Sequence, residues 1–383
     1  MHVLTGGLVS DVDGTREADV AVENGEIVAV GDVPEGNSQT DISGRVVAPG
    51  LIDTHVHVMM DGRPDVSTTF GDSPYAASYR AVSNLRAAVE AGVTTVRDLG
   101  SRGTLALDAG TAVDDGVLTG PRVLGAGENI VMTGGHGHAF GCEADGPDEV
   151  LKGARQQLKR GADVVKCMAT GGVLTEGAVT GSSELTEAEL RSAVEAASAK
   201  GVPTAAHAHG EEGIKNAVRA GISSVEHGTF MDREAAEMMA EHGTYWVPTA
   251  SALVNIVEHG VEAGIPEEAV AKAEDAVSRF EHAWEHALEA GVDIAMGTDA
   301  GTPFNRFGDI PRELELMVDY GLEPNAALAA ATVNAAELVG REDLGRVAEG
   351  YRADLVVLET DPNDDATAWQ SPTVVFANGE RVS

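Results

Sequence analysis

Between residues 50 and 300 the chain alternates short apolar runs with longer amphipathic stretches. The apolar runs cover 50–57, 93–99, 122–125, 163–168, 203–209, 224–228, 245–248 and 293–298. Each has strand length, and several are apolar at nearly every position, as expected of parallel strands buried on both faces. The stretches between them place apolar residues at helical spacing, most clearly SYRAVSNLRAAVEAG, DEVLKGARQQLKRGA, TEAELRSAVEAASAKG and DREAAEMMAEHG. Thr186 and Glu189 have the spacing of a capping box, and Gly92, Gly201, Gly221, Gly243 and Gly291 stand where a helix would end on a left-handed residue. Eight such strand–helix units predict an α/β fold, a (β/α)8 TIM barrel over residues 52–344. A doubly wound open sheet is disfavoured, because no GxGxxG follows the first run and the chemistry-bearing residues sit on many runs.

The ends of the chain follow a different rhythm. ADVAVENGEIVAVGDV near the start and TVVFANGERVS at the end alternate with period two, and each carries an Asn-Gly hairpin signal, at Asn24-Gly25 and Asn378-Gly379. Residues 1–51 and 345–383 are therefore expected to form one small β-sandwich domain from both termini.

Composition narrows the setting. No apolar run approaches the length needed to cross a bilayer, and the first residues lack the basic-then-apolar pattern of a secretory signal, so a cytoplasmic protein is expected. Two cysteines, Cys142 and Cys167, are too few for a disulfide framework. The net charge of −36 disfavours nucleic acid and anionic membranes as partners. The charge is spread along the chain, which suits an acidic surface adapted to high salt. The expected partner is a small-molecule substrate; a homo-oligomer is allowed.

Six residues in or at the ends of the apolar runs carry the candidate chemistry: His55, His57, Lys166, His207, His227 and Asp299. His55 and His57 are two apart in an extended run, so both imidazoles face one way and can reach one ion. Lys166 interrupts the apolar run DVVKCMA, where a lysine is unusual unless paired or functional. Desolvation would lower its pKa, and the neutral amine can take up carbon dioxide to give a carbamate able to bridge two metals. His207 and His209 form a second HxH, of which His207 is the expected ligand. Asp299, in GTDAG, can bind metal and exchange a proton. The set predicts two divalent ions, Zn²⁺ foremost, with Mn²⁺ and Co²⁺ also suited to these ligands. His242, His259, His282 and His286 fall on helical patterns and are expected at the surface.

The ordered set PGLIDTHVH, the fourth-run lysine, HAHG, EHG, GTDAG, TVNAAELVG and GRVAEGYRADLVVLE resembles the amidohydrolase superfamily over nearly the whole chain. The resemblance implies a metal-dependent (β/α)8 barrel with a small β-sandwich. Deaminases of the superfamily carry HxxE on the fifth strand; here Gly210 stands three after His207. Imidazolonepropionases lack the fourth-strand lysine. Lys166 therefore points to dinuclear hydrolases with a carboxylated lysine. TGGHGH, ATGGVLTEGA and HAHGEEGIKNAVRAG resemble the Xaa-Pro dipeptidase (prolidase)-like group most, which implies a substrate-carbonyl role for His136. The implied activity is hydrolysis of an amide in a small substrate, an Xaa-Pro dipeptide or an N-acyl amino acid. Hydroxide would attack, Asp299 would move the proton and His136 would steady the oxyanion. A mononuclear imidazolonepropionase-like enzyme, a lactonase or phosphotriesterase-type activity and a non-catalytic scaffold are the alternatives. Glu211, His138 and His209 remain without an assigned role at this level.

Overall fold

The computed structural model describes residues 1–34 and 36–382. Parallel strands Leu51–Val56, Val93–Asp98 and Arg122–Gly125 form one sheet, with the second strand in the middle. Val165–Met168, Thr204–Ala208, Ser224–His227 and Tyr245–Val247 follow in a second parallel array, in chain order and in register from Val165↔Thr204 to Glu226↔Val247. Helices Pro74–Glu90, Leu105–Asp114, Pro147–Arg160, Glu187–Ser198, Glu211–Ala220 and Arg233–His242 connect successive strands. The apolar strand residues and the inward stripes of these helices share one large core, running from Leu51 and Val96 through Cys167 and Val225 to Trp246 and Trp284.

Seven of the eight expected runs are strands at close to the expected bounds. The eighth, 293–298, is not a continuous strand. It is held by isolated parallel bridges, Trp246↔Ile294 on one side and Val56↔Ala300 on the other. Thr54 N donates to Met296 O at 2.9 Å and Asp299 N to His55 O at 2.7 Å, so the segment still joins the first strand to the seventh. The ladder breaks because Met296 N turns away to Ala330 O in helix Pro324–Ala331, and because Asp299 takes φ +61°. The third and fourth runs also lack a ladder. They are joined by Asp163, whose backbone N–H donates to Gly125 O and whose carboxylate accepts from Gly125 N, each at 2.9 Å.

Both termini contribute to two further sheets. One has the order Glu26–Gly31, Asp19–Glu23, His2–Thr5, Ser38–Asp41; the other runs from Glu380–Arg381 through Val374–Ala377, Leu355–Leu358, Val46–Pro49 and Leu8–Asp11 to Gly14–Glu17. Leu4, Val20, Val22 and Ile27 of the first sheet meet Val9, Val47, Leu355, Val357 and Phe376 of the second in a separate core. Asn24-Gly25 and Asn378-Gly379 take positive φ at both positions, the geometry of the tight hairpin turns expected there. Arg122 fastens the terminal sheets to the parallel strands, donating to Asp354 at 3.0 Å and to Asn378 Oδ1 at 2.6 Å.

The predicted helix signals are present. Thr186 and Glu189 form the capping box, and Gly221, Gly243 and Gly291 close their helices in the left-handed conformation. Among the described residues no helix is long and apolar enough to cross a membrane.

Candidate metal centre

All seven residues singled out in the sequence line one cavity of about 220 Å³: His55, His57, His136, Lys166, His207, His227 and Asp299. The cavity opens at the C-terminal ends of the parallel strands, where loops rather than ladders decide the chemistry. Within it, two groups have ligand atoms lying within 4.8 Å of one another: His55, His57 and Asp299, and His207, His209 and His227.

In the first group the Nε2 atoms of His57 and His55 lie 3.3 and 3.5 Å from Asp299 Oδ1. The opposite edge of each ring is fixed from behind. Nδ1 of His55 meets the Glu226 carboxylate at 2.9 Å, and Nδ1 of His57 meets Gly100 O at 2.9 Å. The second group repeats this design: Nδ1 of His209 meets Thr229 Oγ1 and Nδ1 of His227 meets Thr249 Oγ1, both at 2.7 Å. Four imidazoles are thus oriented through Nδ1, leaving Nε2 for the cavity, which is how metal-binding histidines are normally held. His207 Nε2 is buried without a hydrogen-bond partner.

Lys166 serves both groups. Its side chain is 2% exposed and Nζ has no hydrogen-bond partner. Burial pulls the ammonium down to about 8, and its charge depresses His55 in one group and His207, His209 and His227 in the other. At pH 7 about a tenth of such an amine is neutral, the form that takes up carbon dioxide. Burial, with Lys166 adding to it, lowers His55 to about 4, and burial holds His207 and His227 well below the ordinary histidine range. These rings are neutral at neutral pH, the state a divalent cation requires. Burial pushes Asp299 up, but His55, His57 and Lys166 outweigh it and hold the carboxyl below its ordinary range, so it is ionised. The two groups, each able to hold a metal ion, and the orphaned His207 nitrogen have the donor types that suit a divalent cation, with the Lys166 amine beside them.

Backbone strain aims two of these side chains. His227 has φ +68° and Asp299 φ +61°, a region that costs a non-glycine residue energy and clusters at functional sites. Glu226 and His227 are consecutive in strand Ser224–His227, where alternation would send them to opposite faces. The left-handed turn at His227 ends that alternation, so that both contribute to one site.

His136 packs its ring 4.3 Å from that of His207. Its Nδ1 meets Thr175 Oγ1 at 2.7 Å, and Lys272 Nζ donates to Thr175 O at 3.0 Å, tying this wall to helix Glu267–Ala290. Burial lowers His136 to about 3, so the ring is neutral. His138 is exposed at the cavity rim. His242, His259 and His282 are exposed and His286 half-buried, close to the surface placement expected.

Two of the residues left without a role can now be placed. His209 joins the second ligand group on equal terms with His207, because period two puts both on one face and Thr229 fixes it. Glu211 is exposed in the first turn of helix Glu211–Ala220, where an acidic residue suits the helix dipole, and it is not among the residues lining the cavity. Residues behind the ligands escaped notice: Glu226, Arg97, Asp98 and Thr249. Arg97 and Glu226 left a signal of the same kind as Lys166, a charge within an apolar run.

The architecture and the histidine–aspartate–lysine site are those of a metal-site hydrolase class, and residues 46–382 match the amidohydrolase family, to which the chain belongs. It is accordingly a hydrolase acting on carbon–nitrogen bonds. The ochratoxinase of Aspergillus niger is 31% identical, over 97% of this chain and 84% of that protein. A solved prolidase in complex with N-methylphosphonate-L-proline is 31% identical, with a TM-score of 0.93 over 99% of this chain and 98% of the other. A solved Xaa-Pro dipeptidase with methionine in its active site is 32% identical, with a TM-score of 0.92 over 99% of both chains. The chain therefore stands with the prolidase-like group of the family.

Proposed function

We propose that this protein is a dinuclear metal-dependent hydrolase that cleaves the amide bond of a small substrate, an Xaa-Pro dipeptide or an N-acyl amino acid. The observation that carries this reading is Lys166, an unpaired and buried amine acting on both ligand groups. The similarity to a prolidase, an Xaa-Pro dipeptidase and an ochratoxinase supports the substrate class. The supporting architecture is a (β/α)8 barrel over residues 52–344, with 293–300 as its eighth stave, and a β-sandwich from residues 1–51 and 345–383.

In this reading His55, His57 and Asp299 would hold one cation and His207 and His227 the other, with His209 in the same group, and Lys166, if carboxylated by carbon dioxide, would supply an anionic ligand. Zn²⁺ fits these ligands best. When bound, the pair would polarise the substrate carbonyl and acidify a water near neutral pH. Asp299, ionised and lining the cavity, would take a proton from the attacking water and return it to the leaving nitrogen. The Nδ1 edge of His136 is taken up by the Thr175 hydroxyl, and in the tautomer with its proton on Nε2 the neutral ring would offer a donor to the developing oxyanion. The apolar walls supplied by Phe70, Phe140, Leu174, Leu253 and Ile256 keep bulk water out and suit an apolar acyl or amino-acid side chain.

The test is metal content and turnover of the wild type and Lys166→Ala on a panel of Xaa-Pro dipeptides and N-acyl amino acids. Two ions per wild-type chain are expected. The variant should lose at least about 100-fold in activity, the upper range seen when even an outer partner of a metal ligand is removed. A variant that kept two ions and full turnover would sink the bridging role; one ion in the wild type would sink the dinuclear site.

A further inference from the structure

His136 lines the cavity, yet the groups that hold it come from a different loop. Segment 169–184 follows strand Val165–Met168, which carries Lys166, and doubles back on itself. Gly171 N donates to Ser182 O and Gly181 N to Gly171 O, each at 2.9 Å, and Glu184 N donates to Ala169 O at 2.8 Å. Three residues of this arm meet His136. Both carboxylate oxygens of Glu184 accept from its backbone N–H at 3.0 Å. Gly172 sits against the ring, where a Cβ would stand 2.4 Å from Cε1 and Nε2. Thr175 Oγ1 meets Nδ1 at 2.7 Å, and among the described residues no other hydrogen bond reaches the ring. Thr175 is in turn fixed from outside. Its carbonyl accepts from Lys272 Nζ at 3.0 Å and from Ala178 N at 3.3 Å. Lys272 pairs with Glu268 at 2.6 Å, and Glu268 accepts from Gly177 N at 3.1 Å. Helix Glu267–Ala290 therefore grips the tip of the arm at two points.

We propose that Thr175 is a positioning residue: its hydroxyl sets the orientation of the His136 ring, and so the aim of Nε2, without touching the reacting atoms. This rests on the role given to His136 above. The torsion that turns an imidazole is broad and roughly two-fold, so packing alone selects poorly between a ring and its half-turn. A half-turn exchanges Nδ1 with Cδ2 and Nε2 with Cε1, and so carries the donor edge away from its target. The Thr175 bond is the feature that distinguishes the two orientations. Valine in its place would leave Nδ1 against a methyl group, an unsatisfied nitrogen that favours the turned ring by about tenfold.

The experiment compares zinc-loaded wild type with Thr175→Val, Thr175→Ser, His136→Gln and the double variant Thr175→Val/His136→Gln. Metal content is measured, with kcat and KM on the dipeptide and N-acyl amino acid panel. Thr175→Val, which keeps the shape without the hydroxyl, should lower kcat about tenfold with KM within about threefold, and Thr175→Ser should restore most of it. In the His136→Gln background Thr175→Val should change kcat by less than about twofold, because the ring it orients is gone. Equal losses in both backgrounds overturn the proposal, since Thr175 would then act on the substrate or the fold directly. So does an unchanged kcat in Thr175→Val, or a loss of metal, which would place its effect on the neighbouring His207. Long-range proton–nitrogen NMR spectra of the histidine rings give a readout apart from turnover, with His136 assigned by its disappearance in His136→Gln. Its Nδ1 signal should move in Thr175→Val and return in Thr175→Ser. An inactive wild type, or full kcat in His136→Gln, defeats the catalytic role of His136; the Nδ1 signal then judges the positioning alone, and an unmoved signal overturns it. If Thr175→Val does not fold, Thr175→Ala takes its place in every comparison.

Discussion

Replacing Glu226 by Gln tests whether the site is held from behind as the geometry indicates. Glu226 is fully buried and meets three groups: His55 Nδ1 at 2.9 Å, Arg97 Nη2 at 3.2 Å and Ser224 Oγ at 2.5 Å. Arg97 is itself buried, and its other side-chain hydrogen bonds go to Thr54 O and Ser224 Oγ, both uncharged. Glutamine keeps the shape and removes the charge, leaving a guanidinium without a counter-ion. Its amide NH₂ must also face either Arg97 or the His55 N–H, donor against donor. Breaking a buried pair in this way costs about 3–5 kcal/mol. The ionisation of Glu226 gives a second route to the magnitude. Burial pushes the carboxyl up, but Arg97, Lys166 and His55 outweigh it and bring it down to about 2. Against an ordinary glutamate near 4.5, that depression is worth roughly 3 kcal/mol at neutral pH. The sign follows from proton counting. Between these two values the unfolded chain binds a proton that the folded chain does not, so this contribution is complete above about 4.5 and is lost as pH falls towards 2.

The assay is urea unfolding of metal-free protein at pH values from 7 to 3. Glu226→Gln should be roughly 3 kcal/mol less stable at pH 7, with the gap narrowing below about pH 4.5. Metal affinity at the His55 site should fall about 10–100-fold, because the imidazole loses its orienting carboxylate. Pairing Glu226→Leu with Arg97→Met should recover most of the stability without restoring the metal affinity. A Glu226→Gln protein within about 0.5 kcal/mol of the wild type, the range of ordinary surface changes, would refute the reasoning. So would a gap that does not change with pH.

Other perturbations probe separate parts of the molecule. Glu313 is buried and accepts from Ala250 N, Ser251 N and Ser251 Oγ at the start of helix Ala250–His259, while burial pushes its carboxyl up to about 7. Between about 4.5 and 7 the folded chain then holds a proton that the unfolded one has released, so this group's contribution falls by about 1.4 kcal/mol per pH unit as pH rises. Glu313→Gln should show a flatter stability profile over that window by calorimetry, and parallel profiles would contradict this. At Gly172 a Cβ would lie 2.4 Å from the His136 ring, so Gly172→Ala should displace the imidazole and lower kcat, with about 1–3 kcal/mol of overpacking; unchanged kinetics would remove His136 from the mechanism. The net charge of −36 predicts a Tm that rises with KCl up to molar concentrations, and a flat response would end the proposal of salt adaptation.

The sequence exposed the site more fully than the frame that carries it. Side chains of unusual chemistry in apolar runs, His55, His57, Lys166 and His207, were legible because a buried strand has little other use for them, and all of them meet in one cavity. The eighth run read as a strand for the same reason, yet its amide groups are divided between strand and helix partners, and nothing in its apolar pattern records that Met296 donates to Ala330. Period two placed His209 on the same face as His207, but what fixes its ring there is Thr229, twenty residues away and silent in the sequence. Glu226 shows why the rest was hidden. Alternation sends a residue next to a ligand to the other face, and that rule makes Glu226 and His227 mutually exclusive occupants of one site. The positive φ at His227 removes the exclusion, and the same device at Asp299 turns a second ligand inward. The geometry of the site therefore depends on two strained residues that no residue pattern announces, one beside the Glu226 that anchors His55 and one at the Asp299 carboxylate. Strain of this kind persists only where surrounding bonds over-determine it. At Asp299 those bonds are visible: its own N–H holds His55 O, its carbonyl accepts the Thr302 hydroxyl at 2.8 Å, and Asp53 grips Thr298 immediately before it at 2.6 Å.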